Sequence, residues 1–271
     1  MALGTTNVDA AISKVEPGAT PGTFMVDPTG EIIDVGVPCS SVQTPFVGMA
    51  VAKSGQGTGC TKGCITSVNT SLDVGGFRRA CGSKGSFTVH FTNQVIITPG
   101  DGTPVPRFSA EWDSGALIVS NDLTLNPVAL LFAKSYIFTV GNPIQDVVDR
   151  FKQNGGGGHT FAFVGNDPCP VAAALLDCKT PPGTPVPVCI APLAAEVESA
   201  RMIKERYESD LFAMAGVIGV GVGADETDPT KAAIVVYLNT EDTSQLKAGV
   251  VPRELDGVKV RVIPTDPFVA L

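Results

Sequence analysis

The triplet Asp113-Ser114-Gly115 is where this sequence concentrates its capacity for covalent chemistry. A serine hydroxyl is a weak nucleophile unless a tight turn holds it exposed, beside a base and near N–H groups that take up negative charge. Asp-Ser-Gly is turn chemistry, and the apolar run Ala116-Leu117-Ile118-Val119 gives the turn a strand to stand on. Taken alone the triplet is a common turn sequence, so its weight depends on its surroundings. The natural base is histidine, and the chain has two, His90 and His159. His90 lies in an apolar stretch, residues 87–97, with the pattern of a strand. His159 follows the glycine run 155–158. Either is a candidate substitute base only if it comes within hydrogen-bond reach of the Ser114 hydroxyl.

Other chemistry is poorly supported. Seven cysteines are present: Cys39, Cys60, Cys64, Cys81, Cys169, Cys178 and Cys189. An odd number leaves at least one thiol free or paired between chains. Cys60 and Cys64 have the spacing of half a metal site, but no second half follows, so no metal is expected. Cys60, Cys64 and Cys81 form one group and Cys169, Cys178 and Cys189 another. Each group has room for one disulfide, and reduced, buried thiols are the alternative. The glycines at 155–158 lack the Lys and Ser/Thr of a phosphate cradle, so no nucleotide cofactor is implied.

Hydrophobic residues make up 44% of the 271 and charged residues 17%, which favours a packed core over disorder. The 30 Gly and 21 Pro fall between short apolar runs, as in a protein of many short strands. A net charge of −8 with no Lys/Arg run argues against nucleic acid as a partner. No stretch of about 18 apolar residues exists, so no transmembrane helix and no membrane partner are expected. Residues 1–10 lack the basic start and apolar stretch of a signal peptide, and the compartment stays open.

Residues 1–153 read as β-rich. Apolar runs at 46–51, 65–74, 87–97, 117–119, 127–132 and 136–140 are separated by turn residues, the pattern of an antiparallel barrel or sandwich. A helix is predicted from Pro143 to Lys152, with Asn142 as N-cap. Residues 154–192 read as a Gly/Pro-rich linker with a short helical turn at 171–176. Residues 193–271 read as a small α/β domain. It has a helix over 194–213 and strands at 217–222, 232–238 and 258–263, the helix covering one face of a small sheet.

Several blocks over residues 7–153 resemble, in order, the bacterial trypsin-like serine peptidases. Val8-Asp9-Ala10-Ala11-Ile12 resembles the strand that bears the family's triad aspartate. Val47-Gly48-Met49 and Lys53-Ser54-Gly55-Gln56-Gly57-Thr58-Gly59, then Thr61-Lys62-Gly63, resemble the block that starts the second barrel. Pro127-Val128-Ala129-Leu130-Leu131-Phe132 resembles the strand after the serine motif, and Asn142-Pro143-Ile144 the start of the C-terminal helix. The stretches 211–223, 234–237 and 255–260 resemble a small domain that accompanies these peptidases, which is expected N-terminal to the barrel in relatives.

The resemblance implies a chymotrypsin-like antiparallel β-barrel, the second barrel complete and the first mostly missing. It implies Ser114 as nucleophile, Asp9 as the acid that orients the imidazole, and Trp112, Asp113 and Ser114 at the oxyanion hole. In that family histidine precedes aspartate, and no histidine precedes Asp9 here. Trp112 also stands where the family has glycine. The expectation is a trypsin-like serine endopeptidase acting on peptides or proteins, inactive as this sequence stands. The alternative is a non-catalytic binding or assembly scaffold, and a β-barrel capsid protein is a third, weaker reading. A second barrel without the first would expose apolar surface and invite self-association.

Overall fold

Strands form where apolar or alternating runs lie between glycines and turn residues. The computed structural model describes residues 5–11, 30–79, 85–99, 107–154, 163, 178, 189–240 and 251–271. Its strands through the β-rich region are β1 (Thr5–Thr6), β2 (Ala50–Gly55), β3 (Gly59–Arg78), β4 (Ser86–Pro99), β5 (Leu117–Ser120), β6 (Pro127–Lys134) and β7 (Thr139–Pro143), followed by helix α1 (Ile144–Asn154). Then come helix α2 (Ala194–Phe212) and strands β8 (Val217–Ala224), β9 (Ala232–Asn239), β10 (Glu254–Leu255), β11 (Val258–Thr265) and β12 (Phe268–Ala270).

Six of these strands close on themselves. β2 pairs with β3, β3 with β4, β4 with β7, β7 with β6, β6 with β5, and β5 with β2, all antiparallel. The protein is thus mainly β, and the ring of six antiparallel strands is consistent with a chymotrypsin-like barrel. Its interior is apolar: Val51, Ile65, Val95, Ile97, Ile118 and Leu131 are buried together. Before the ring, the described residues hold only β1 and an isolated bridge between Ile32 and Gly36. β1 pairs parallel to β4 at His90 and Phe91, along the edge where β7 has ended.

The sheet continues past residue 193. The second half of β3 pairs with β8, at Ser67–Gly223 and Leu72–Gly219, and β8, β9, β11 and β10 extend the sheet from there. Gly221 is required at this seam, because a Cβ there would collide with the hydroxyls of Ser67 and Thr70. α2 covers β8 and β9 through Leu211, as the helical spacing of its apolar residues predicts. β12 then returns to the barrel, parallel to β3 at Val74 and antiparallel to β6 at Lys134. Apolar surface outside the barrel interior is covered by this region. Phe91, Phe132 and Phe138 share a core with Tyr237 and Phe268.

Two expectations need correction. The cysteines do not pair within their groups: Cys60 bonds Cys178 and Cys64 bonds Cys189, which joins the start of β3 to the 154–192 segment. Cys39 is disulfide-bonded too. Cys60 and Cys64 are therefore spent as thiols, and the 154–192 segment is pinned to the barrel at two points. Asn142 does not cap α1. It lies in β7, where its side-chain oxygen accepts the Asp9 N–H at 2.9 Å and its NH2 donates to Gln94 Oε1 at 2.6 Å. Cys81, Cys169, His159, the glycine run 155–158 and the helical turn at 171–176 lie outside the described residues.

Candidate active site

Ser114 stands exposed on a turn between Ala110 and Ala116. The Asp113 N–H donates to the Ala110 carbonyl at 3.2 Å, and the Ala116 N–H to the Asp113 carbonyl at 3.0 Å. The Gly115 N–H reaches β6 at the Leu131 carbonyl, 2.8 Å away. Trp112 takes φ +75° and Gly115 φ +83°. The left-handed region is open to glycine and costly for tryptophan. The turn thus places a tryptophan at a left-handed position that a glycine would take without strain. The Trp112 ring is 76% exposed and stands in solvent.

What holds the turn is Asp113, whose side chain is buried against Lys53 at 3.1 Å. One carboxylate oxygen accepts the N–H groups of Gly57 at 2.8 Å and Thr58 at 3.2 Å. The other accepts the Ala110 N–H at 2.9 Å, the Thr58 hydroxyl at 2.7 Å and the Lys53 ammonium. Lys53 places its remaining donors on the Gly59 carbonyl, at 3.0 Å, and the Thr58 hydroxyl oxygen. Burial pushes the Asp113 carboxyl toward the neutral form, but hydrogen bonds from Thr58 and Ala110 and the Lys53 charge outweigh it and hold its pKa below the usual carboxylate range. The glycines of the 55–59 loop make the cradle possible. A Cβ on Gly55 would collide with the Asp113 carboxylate, and one on Gly57 with the Glu111 carbonyl. Sequence reasoning singled out this block without seeing its role. Its signal was a lysine and three glycines beside a turn motif, which becomes a cradle only when the β2–β3 hairpin folds onto residue 113.

Of the three residues expected at the oxyanion hole, Asp113 has its N–H committed to Ala110, because that bond closes the turn. Among the described residues, no partner takes the N–H of Trp112, the N–H of Ser114 or the Ser114 hydroxyl. Asp9 hangs from Asn142 by its own N–H. Its carboxyl is half-buried, makes no hydrogen bond among the described residues, and has its pKa raised by burial. Gly115 bonds to Leu131, and Leu131 lies opposite Gly141, next to Asn142. The serine turn thus runs along the β5 edge of β6 and Asn142, which holds Asp9, along the β7 edge, and no bond joins Ser114 to Asp9.

His90 is elsewhere. Its Nδ1 pairs with Asp73 Oδ1 at 2.8 Å, and its ring packs edge-on against Phe212 of α2. Asp73 is near the far end of β3, whereas Asp113 is held at the near end. Among the described residues no imidazole reaches Ser114.

No family model matches the chain, and no curated protein matches it. Among solved structures, that of a glutamic-acid-specific serine protease, described as using a novel histidine triad in substrate binding, is similar at a TM-score of 0.32 and 20% identity. The match covers 50% of this chain, which spans 61% of that protease. The fold itself is defined by the closed ring of strands.

Proposed function

We propose that this chain is a serine-peptidase-type protein in which Ser114 is the acyl acceptor and Asp9 the acid that orients an imidazole. The observation that carries the reading is the exposed Ser114, on a turn locked by the buried Lys53–Asp113 pair, with the N–H groups of Trp112 and Ser114 taking no partner among the described residues. The Ser114 Oγ would attack the carbonyl carbon of a peptide, and the developing oxyanion would be met by the N–H groups of Trp112 and Ser114. The hydroxyl proton needs a base, and an imidazole donating its other N–H to Asp9 would supply it. With no imidazole beside Ser114 among the described residues, acyl transfer is slow. Loss of a triad member leaves only about 10³–10⁴-fold catalysis over water.

A fluorophosphonate probe tests this by mass spectrometry of the intact, oxidised chain. Slow labelling confined to Ser114, absent in Ser114→Ala and accelerated when a histidine-bearing strand is supplied beside Asp9, is the expected result. Peptide turnover at ordinary protease rates that disappears in Ser114→Ala would show a working base and overturn the inactivity. Labelling that ignores Ser114→Ala would remove the assignment altogether.

A second reading, a peptide-binding scaffold without turnover, is favoured by the exposed Trp112 ring near a serine with no imidazole beside it among the described residues. It predicts that peptide binding survives Ser114→Ala and weakens in Trp112→Ala.

A further inference from the structure

A cavity of about 200 Å³, away from the Ser114 turn, opens where the chain entering β2 meets β3, the end of β4 and β11. Its floor is apolar, with Val47 and Ile65 both buried. One wall is Ile190 and the Cys64–Cys189 disulfide. That wall is fixed twice: by the disulfide, and by the backbone of residues 190–191 lying against Gly48, where a Cβ would stand 2.6 Å from the Ala191 Cα. Arg261 of β11 also lines the cavity.

Arg261 is half-buried; its charge acts on the buried Tyr237 phenol, but it makes no ion pair, hydrogen bond or ring contact among the described residues. Arg150, Arg201 and Arg206 bond acidic or amide side chains and Arg107 lies over the Tyr136 ring, whereas Arg78, Arg79 and Arg253, whose side chains also show no partner among the described residues, are exposed to solvent. The chain carries 27 acidic residues against 19 basic ones, so carboxylates are not scarce. A partly desolvated guanidinium without an anion is unfavourable, and its planar fork of donors matches a carboxylate.

We propose that this cavity binds a carboxylate carried on a short apolar group. Arg261 takes the carboxylate, and Val47, Ile65, Ile190 and the disulfide take the apolar part. The volume suits a group the size of a leucine side chain, since pockets for drug-sized ligands run about 300–1,000 Å³. The wall is covalently held before the ligand arrives, so little ordering opposes binding.

The test is an NMR titration of the intact, oxidised chain, following the amides of Gly48, Thr66 and Ala224. The probes are 4-methylpentanoate, its uncharged amide, and an N-acetylated peptide ending in a free leucine. The acid or the peptide should shift these amides, with the 4-methylpentanamide at least about tenfold weaker. Arg261→Gln should weaken the charged probe by about tenfold while the melting temperature reports an intact fold, and Arg261→Lys should retain part of the affinity. Binding of the acid alone assigns the site to a free metabolite-sized acid, and binding of the peptide alone to a polypeptide C-terminus. Equal binding of acid and amide, no effect of Arg261→Gln, or no shift with any probe overturns the proposal. The comparison of acid with amide needs no variant, so it decides even where Arg261→Gln fails to fold.

Discussion

Trp112 is held in a backbone form that its own side chain disfavours. With φ at +75° and its ring mostly in solvent, it gains little from burial and bears the steric cost of the left-handed region. What holds it there is the residue that follows. Asp113 is pulled inward by Lys53 and by N–H groups on both sides of the fold, and the chain must reverse at residue 112 to deliver it. Trp112→Gly and Trp112→Ala should therefore differ although both remove the same exposed ring. The glycine variant escapes the strain and the alanine variant keeps it. We expect Trp112→Gly to be the more stable by about 1 kcal/mol, read as the difference in urea midpoints at equal slope. Equal midpoints would mean that the turn relaxes and that Asp113 does not dictate its shape.

The β2–β3 hairpin is the element that gives Asp113 its partners, and its glycines are selected by contact more than by turn type. Gly57 has no room for a Cβ against Glu111, and its N–H is one of the carboxylate's donors. Gly57→Ala should therefore lower stability by about 1–3 kcal/mol and slow fluorophosphonate labelling of Ser114. Gly85→Ala, where a Cβ meets nothing within 4 Å, should stay within about 0.5 kcal/mol of the parent. A midpoint for Gly57→Ala matching that of Gly85→Ala would sink the cradle. Elements also mark the limit of what the sequence made legible. β4, β5, β6, α2, β8, β9 and β11 were readable because apolar runs and helical spacing are local signals. β1 and β12 were not, since two or three residues carry too little pattern and their pairing partners lie far off in sequence. Asn142 had the right residue type for a cap, yet Asp9 and Gln94, both distant in the chain, claim its amide. The serine turn was legible as a motif, whereas Lys53, Gly57 and Thr58 as its supports, and the pairing of the cysteines, depend on the fold itself.

At the scale of the whole molecule, the sequence suggested two domains and a flexible joint, and three features of the structure bear on how such a chain unfolds. β3 belongs to both the closed ring and the sheet of residues 217–265, so neither can lose it alone. The buried clusters mix residues from both regions: Ala200, Val222 and Ala232 lie with Ile65 and Leu131, and Tyr237 with Phe91 and Phe132. Two disulfides, joining residues 118 and 125 positions apart, tie the intervening segment to β3. On the loop-entropy account the first of these bridges restricts the unfolded chain by roughly 4–5 kcal/mol, and the second, which then closes only a short ring through both bridges, by about 3 kcal/mol more. We therefore expect one cooperative transition. In native-state hydrogen exchange, the amides of β6 and of β9 should show the same opening free energy and the same dependence on denaturant. Reduction should lower the midpoint for both strands together, because the shared strand and mixed cores remain when the bridges are gone. If the β9 amides open first, with a smaller denaturant dependence than those of β6, the two regions are separable domains joined along a seam. The barrel would then have to stand with Phe91, Phe132 and Phe138 partly uncovered, and a chain ending at residue 192 should fold and self-associate through that surface.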